Sequence, residues 1–260
     1  MPQTITLESG LQVRLGRNAS DKHDLGKRLF LRDFLAAPSR LVLPGRDAID
    51  WHATAAEQCP ANGLNDILGN DRYGDCAWAA PGHVIQLATA CESGTCAAVT
   101  AAEITKEYLD YTGGHDTGSN LLDVLKIWQK TGVCGYKISA YLAIEPADED
   151  LLRWACDYLG GLYVACNLPS DWERQQTLWD ARAGRIIGGH AVAFSGYSAR
   201  GPILETWGQK VQATWAGWRQ YFDEAYAVIL DAWTAGGTRP SPAGLDLDAI
   251  RQQVAAVQAA

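Results

Sequence analysis

The sequence predicts an α+β fold in which helices come first and strands later. Two observations predict it. Across residues 77–158 apolar side chains recur at helical spacing, and after Gly161 they gather in short runs of strand length. These stretches also fail to alternate as those of a parallel α/β sheet would, which argues for segregated halves.

Each element has a local reason. Residues 4–13 alternate and read as one or two strands, and residues 27–35 (KRLFLRDFL) as a short amphipathic segment. The chain then turns around Pro38, Pro44 and Gly45. Residues 77–90 are mainly helical, although Pro81 removes one helix hydrogen bond and is expected to kink the segment at Pro81-Gly82. Residues 101–111 place Ile104, Tyr108 and Tyr111 on one helical face. In residues 120–130 the face is Leu121, Leu122, Val124, Leu125 and Trp128, with Gly132 ending the helix. Residues 148–158 open with acidic side chains that suit a helix N-terminus. Four strands are expected at residues 162–167, 190–197, 202–207 and 224–230. From Thr234 the composition is that of a linker, followed by a weakly amphipathic helix carrying Leu245, Leu247, Ile250, Val254 and Val257.

A chain of 260 residues with 47% hydrophobic and 20% charged content has the makeup of a folded globular protein with a sizeable core. The formal charge of −8, with no basic cluster, argues against binding a phosphate backbone, so nucleic acid is not an expected partner. No apolar run is long enough to span a bilayer, and the first residues lack the basic-then-apolar order of a secretory leader. The expected location is cytoplasmic or particle-associated. Seven cysteines are an odd number, so at least one thiol is free within a monomer. No CxxC pair and no HExxH motif occurs, so neither a metal nor another cofactor is expected. Most thiols are expected to be reduced, with Cys91 and Cys96 placed to close a small loop.

The chemistry gathers around Cys76. The run Gly69-Asn70-Asp71-Arg72-Tyr73-Gly74-Asp75-Cys76 puts a cysteine after a glycine-containing turn and at the start of a helical stretch. Unpaired N–H groups at such a start favour the thiolate. Gly188-Gly189-His190 puts a histidine at the head of an apolar strand, where it can take and return the thiol proton. Glu205, in the next strand, is positioned to orient that imidazole. His83 lies seven residues along the helix from Cys76, about 10 Å, too far to be its base. His23, His52 and His115 have no chemistry beside them and read as surface residues, while Cys134, Cys156 and Cys166 read as core.

In order, these segments resemble the papain-like cysteine peptidases across residues 43–231. Leu43-Pro44 with Ile49-Asp50-Trp51 is similar to the start of the mature family domain, and Gly74-x-Cys76 to its nucleophile motif. Asn70 falls where the family has the oxyanion-hole Gln. Residues 118–133 resemble its glycine-rich turn and second helix. His190-Ala191-Val192 with Gly196-Tyr197 is similar to the base strand, and Glu205-Thr206-Trp207-Gly208 to the Asn-Ser-Trp-Gly segment. Trp215-Ala216-Gly217-Trp218 is similar to the aromatic stretch before the last strand. The sequence departs from the family pattern at Tyr73, which replaces the first Cys of the nucleophile motif and removes its disulfide. Trp78 sits one place late, Asn70 replaces Gln, and Glu205 replaces Asn.

The resemblance implies a two-lobe fold. A helical lobe over about residues 64–158 would carry Cys76, and an antiparallel β-barrel lobe over about 160–232 would carry His190, within a domain of residues 43–233. It implies a cysteine peptidase or amide hydrolase that binds an extended peptide between the lobes. Cys76 would be the nucleophile, His190 the base and Glu205 its orienter. Asn70 would be an oxyanion donor, and Trp207 would shield the Glu205–His190 contact. Residues 1–42 would be either an inhibitory arm, as a propeptide is in that family, or a permanent part of the fold. Two alternatives stand beside this reading: acyl transfer on the same residues, and a catalytically silent subunit of a particle or virion. In the second, the arm or the tail of residues 234–260 would mediate self-association.

Overall fold

The computed structural model describes residues 1–35, 47–93, 96–174 and 177–231, with backbone only at 92 and 93. Leu43-Pro44 and the expected tail helix fall outside the described residues. The chain opens with a hairpin of β1 (Gln3–Thr6) and β2 (Gln12–Leu15). Short helices α1 (Lys22–Leu25) and α2 (Leu31–Phe34) follow, then β3 (Ile49–Asp50) and α3 (Trp51–Gln58). Next come α4 (Cys76–Ala88), α5 (Ala101–Tyr111), α6 (Leu121–Lys130), β4 (Ile138–Ala143) and α7 (Glu149–Leu159). The remainder is β5 (Leu162–Pro169), β6 (Leu178–Trp179), β7 (Ile186–Tyr197), β8 (Pro202–Thr206), β9 (Gln209–Ala213), α8 (Trp215–Tyr221) and β10 (Phe222–Leu230).

One eight-stranded sheet runs β4-β10-β5-β7-β8-β9-β6, with β3 added on β7. Every pairing is antiparallel except β6 with β9. Strand alternation sorts the core into two clusters. Tyr163, Ala165, Ala191, Ala193, Tyr226 and Val228 pack with α4, α5 and α6. Their neighbours Leu162, Val164, Cys166, Val192, Phe194 and Ala227 pack with α7 and the tryptophans Trp172, Trp179 and Trp218. Strands β4 and β9 lie outside the four strands expected in this half of the chain; both alternate buried residues with half-buried or exposed ones. Residues 215–221, matched to an aromatic stretch before the last strand, form a helix capped by Thr214.

The central helix α4 is buried along its whole length and runs unbroken through Pro81. Proline supplies no N–H to the carbonyl of Ala77, four residues back. The Tyr163 hydroxyl donates to that carbonyl instead, at 2.7 Å. So the expected loss of a helix bond is real, and the sheet repairs it. At Gly82 an added Cβ would lie 3.0 Å from Leu68 and 3.1 Å from Val99, so the small residue lets loops close on the helix. The disulfide differs from expectation: Cys59 pairs with Cys96, across 37 residues, and Cys91 lies outside it, its sulfur 3.4 Å from the carbonyl oxygen of Trp51. Among the described residues no helix is long and apolar enough to cross a membrane.

Candidate active site

Cys76 is the first residue of α4, with Asp75 at the cap position, and its side chain is 1% exposed. His190 sits in β7 opposite Cys166 of β5 and is also buried. Both line a small cavity of about 10 Å³, room for one water at most, together with Asn70, His83, Glu205, Thr206 and Trp207. The thiol and the imidazole share this cavity without a hydrogen bond between them. His190 Nε2 meets Thr206 Oγ1 at 2.6 Å, and its Nδ1 is buried with no partner. Burial pushes the Cys76 thiol up to about 11 and the His190 imidazole down to about 3. In this state the pair is neutral: a protonated thiol beside an uncharged ring.

The β8–β9 hairpin explains how Trp207 reaches the site. Thr206 pairs with Gln209, leaving a two-residue turn, Trp207-Gly208, with φ of 51° and 71°. Such a φ is rare for a bulky residue. Here it is held by ring stacking on His190, with centroids 4.5 Å apart, and by a bond from Trp207 Nε1 to Asn70 Oδ1 at 2.8 Å. Trp207 therefore covers the imidazole, whose hydrogen-bond partner is Thr206.

Glu205 requires a correction. Its carboxylate, on a residue 1% exposed, accepts from Ser195 Oγ at 2.7 Å and lies 2.8 Å from His52 Nδ1, not against His190. The His52 approach is short but poorly aligned for a directed hydrogen bond. Strand alternation is the reason: Glu205 pairs with Ala193, on the face toward α4, and the next residue, Thr206, takes the opposite face with His190. His52 is correspondingly a partly buried partner on α3 and not a surface residue. His83 is buried with Nδ1 3.1 Å from Gln86 Oε1, and burial lowers it to about 4.

Asn70 lies where an oxyanion donor was expected, but its amide is engaged. Nδ2 stands 2.9 Å from Arg14 O, 3.0 Å from Tyr73 O and 3.2 Å from Asp75 Oδ1. Two of these partners belong to the turn around the nucleophile; the third belongs to the N-terminal arm.

An N-terminal arm was expected; where it sits was not. Residues 14–18 run extended over Cys76. Arg14 N donates to Asn70 O at 2.8 Å, Ser119 N to Gly16 O at 2.9 Å, Arg17 N to Gly189 O at 3.1 Å and Asn18 N to Ser119 O at 2.9 Å. The backbone N–H groups of Ala191, Gly16 and Ala77 favour the Cys76 thiolate, an effect that burial outweighs. A Cβ on Gly16 would overlap the carbonyl of Gly74, and one on Gly189 would overlap Arg17. Only glycines let the arm lie this close. Arg14 also pairs with Asp116, whose Oδ1 accepts from Gly74 N at 2.9 Å and from Tyr108 Oη at 2.6 Å.

Asp75 is a second residue that sequence reasoning passed over. Its side chain is fully buried, Oδ2 has no partner, and burial holds its carboxyl well above the ordinary range. The folded state therefore keeps a proton that the unfolded chain releases near pH 4. Native stability then falls as pH rises from about 4 toward the folded-state value. The variant Asp75→Asn is expected to remove this fall. Urea midpoints of parent and variant from pH 4 to 9 test it, since the two histidines of the cavity contribute equally to both. A constant difference between the proteins would mean that Asp75 takes up no proton.

No protein-family model matches the chain, and no curated protein matches its sequence. Solved structures do resemble it. Xylellain, a cysteine protease from Xylella fastidiosa, aligns over 83% of this chain and 95% of its own, with a TM-score of 0.61 and 16% identity. A procathepsin B from Trypanosoma congolense aligns over 84% and 86%, with 0.60 and 12%. A cysteine protease from Carica candamarcensis aligns over 71% and 98%, with 0.52 and 12%. At such identities the likeness speaks to architecture, and it agrees with the mixed helix-and-sheet fold built above: this chain has a papain-like fold.

Proposed function

We propose that the chain is a cysteine peptidase held in a latent state by its own N-terminal arm. The observation that carries this reading is the seating of an extended segment, hydrogen-bonded from both walls, directly over a cysteine at a helix N-terminus. A groove that binds one extended polypeptide in this way suits another. The fold shared with cysteine proteases supports the same reading.

In this proposal Cys76 attacks the peptide carbonyl. The Cys76 backbone N–H and the Asn70 amide hold the oxyanion. Withdrawal of the arm removes Arg14 O, and one of the two Asn70 N–H groups must also release Tyr73 O or Asp75 Oδ1, in the turn around Cys76, to face the oxyanion. With Nε2 committed to Thr206 Oγ1, His190 Nδ1 is the ring nitrogen left to take the thiol proton. A buried acceptor without a partner costs about 1–3 kcal/mol, which a base awaiting its proton accounts for. His190 then delivers the proton to the leaving amine, and water resolves the acyl-enzyme. Thr206 replaces Glu205 as the positioning residue.

The test is peptide cleavage after the arm is displaced. A pool of capped peptides, read by mass spectrometry, is expected to be cleaved by an arm-lifted variant, hardly at all by the parent, and not by the same variant with Cys76→Ser. Absence of new termini, in a variant whose arm is shown by limited proteolysis to be free, would rule the peptidase out.

A further inference from the structure

Arg17 is a charged arm residue whose side chain is almost wholly buried. Its guanidinium, 3% exposed, pairs with Glu224 and with Asp223, at 2.9 Å to Asp223 Oδ1 and 3.1 Å to Oδ2. Glu224 is 2% exposed, at the bottom of the pocket, where Ser20 Oγ (2.9 Å) and Tyr226 Oη (2.7 Å) donate to it. Asp223 stands at the rim, oriented by Asn167 Nδ2 at 2.9 Å. Backbone bonds fix the depth of insertion: Arg17 N is held by Gly189 O, and its neighbours on either side are held by Ser119. The pocket therefore opens one residue from Gly16, whose backbone packs on that of Gly74, two residues before Cys76.

Once the arm leaves, this pocket holds a buried carboxylate with no counter-charge, a condition that costs far more than a filled site. We propose that the Glu224–Asp223 pocket receives a basic side chain of the bound peptide, arginine above lysine, next to the residue that meets Cys76, so that the chain selects arginine-containing peptides. This rests on the peptidase reading for its consequence but not for the binding itself. Arginine is favoured because a planar fork engages both carboxylates at once, whereas an ammonium makes a point contact. An uncharged side chain would leave Glu224 unpaired, and sites with buried partners of this kind reject analogues lacking the matching group.

The experiment uses the full chain. Arg17→Ala empties the pocket and leaves its walls unchanged. N-acetyl-arginine amide at millimolar concentration is expected to raise the thermal midpoint of this variant by several degrees and to leave the parent, whose pocket is filled, unmoved. N-acetyl-norleucine amide, of similar length and without charge, is expected to move neither. Adding Glu224→Gln should abolish the arginine response. Equal responses to the two amides, or an arginine response that survives Glu224→Gln, would overturn the proposal. Gly16→Ala, which lifts the arm without touching the pocket, gives a second template if Arg17→Ala fails to fold. There the readout is competition of the two amides against a fluorescent arginine peptide, with a preference on the order of tenfold or more expected and equal competition counting against it. Neither readout involves chemistry at Cys76. A chain that binds the arginine amide and cleaves nothing would remove the peptidase reading and leave the pocket standing.

Discussion

Gly16→Ala is expected to raise the alkylation rate of Cys76 by iodoacetamide at pH 7.5 by on the order of 100-fold, the largest single effect of any arm substitution. The thiolate is the reacting form, and burial, to which the seated arm contributes a wall, holds the thiol at about 11. Against an ordinary value near 8.5, that shift alone removes roughly two orders of magnitude of thiolate at pH 7.5. The new methyl group would overlap the Gly74 carbonyl, which is backbone and cannot swing aside as a side-chain tip would. Gly74 is itself pinned by Asp116. The arm must therefore lift. Gln12→Ala, on the exposed side of the same hairpin, serves as a control that keeps the arm seated. Peptide mapping assigns the label, because Cys91, Cys134, Cys156 and Cys166 also lie outside the disulfide. Unchanged labelling at Cys76 in a folded Gly16→Ala protein would show that the arm is not what protects the thiol.

Much of the fold is legible in the sequence where a local signal and a tertiary role coincide. The helix at 101–111 has its apolar face at Ile104 and Tyr108 and a Thr100–Glu103 capping box, so pattern and cap agree on its bounds. Asn120 caps the next helix in the same way. The position of Cys76 at a helix start and of His190 in a strand follow from equally local cues. What local cues miss is set by distant partners. Arg17 gives no sign in its own neighbourhood that it will be buried against Glu224, 207 residues away. The seating of Gly16 depends on Gly74, Ser119 and Gly189, which only the fold assembles. Glu205 was a matter of phase: one step along a strand turns a side chain to the other face, and Thr206, not Glu205, meets the imidazole. The Cys59–Cys96 bond joins the end of α3 to the loop before α5, a pairing that spacing alone does not select over Cys91 with Cys96.

In the arm-lifted background, His190→Ala is expected to lower peptide cleavage by about 10²- to 10⁴-fold and to erase Cys76 labelling below pH 7. The argument turns on what lifting the arm does to each group. Burial drives the thiol up and the imidazole down, so in the closed state the proton stays on sulfur. Letting water into the cavity relaxes both shifts toward each other, and attraction between a thiolate and an imidazolium then favours moving the proton to His190. Labelling in Gly16→Ala should accordingly persist at pH 6, where an ordinary thiol is almost wholly protonated. Without the imidazole, the thiol returns toward its ordinary value and the low-pH labelling goes. Thr206→Val, which leaves the ring in place but removes its Nε2 partner, should fall between the two, with the loss in kcat and little in KM. Glu205→Gln is expected to lower stability through its contacts with His52 and Ser195 while leaving the low-pH labelling intact. If Glu205→Gln instead reproduces the His190→Ala profile, the carboxylate rather than the threonine orients the base in the open state. If His190→Ala leaves labelling at pH 6 unchanged, the imidazole has no part in activating Cys76.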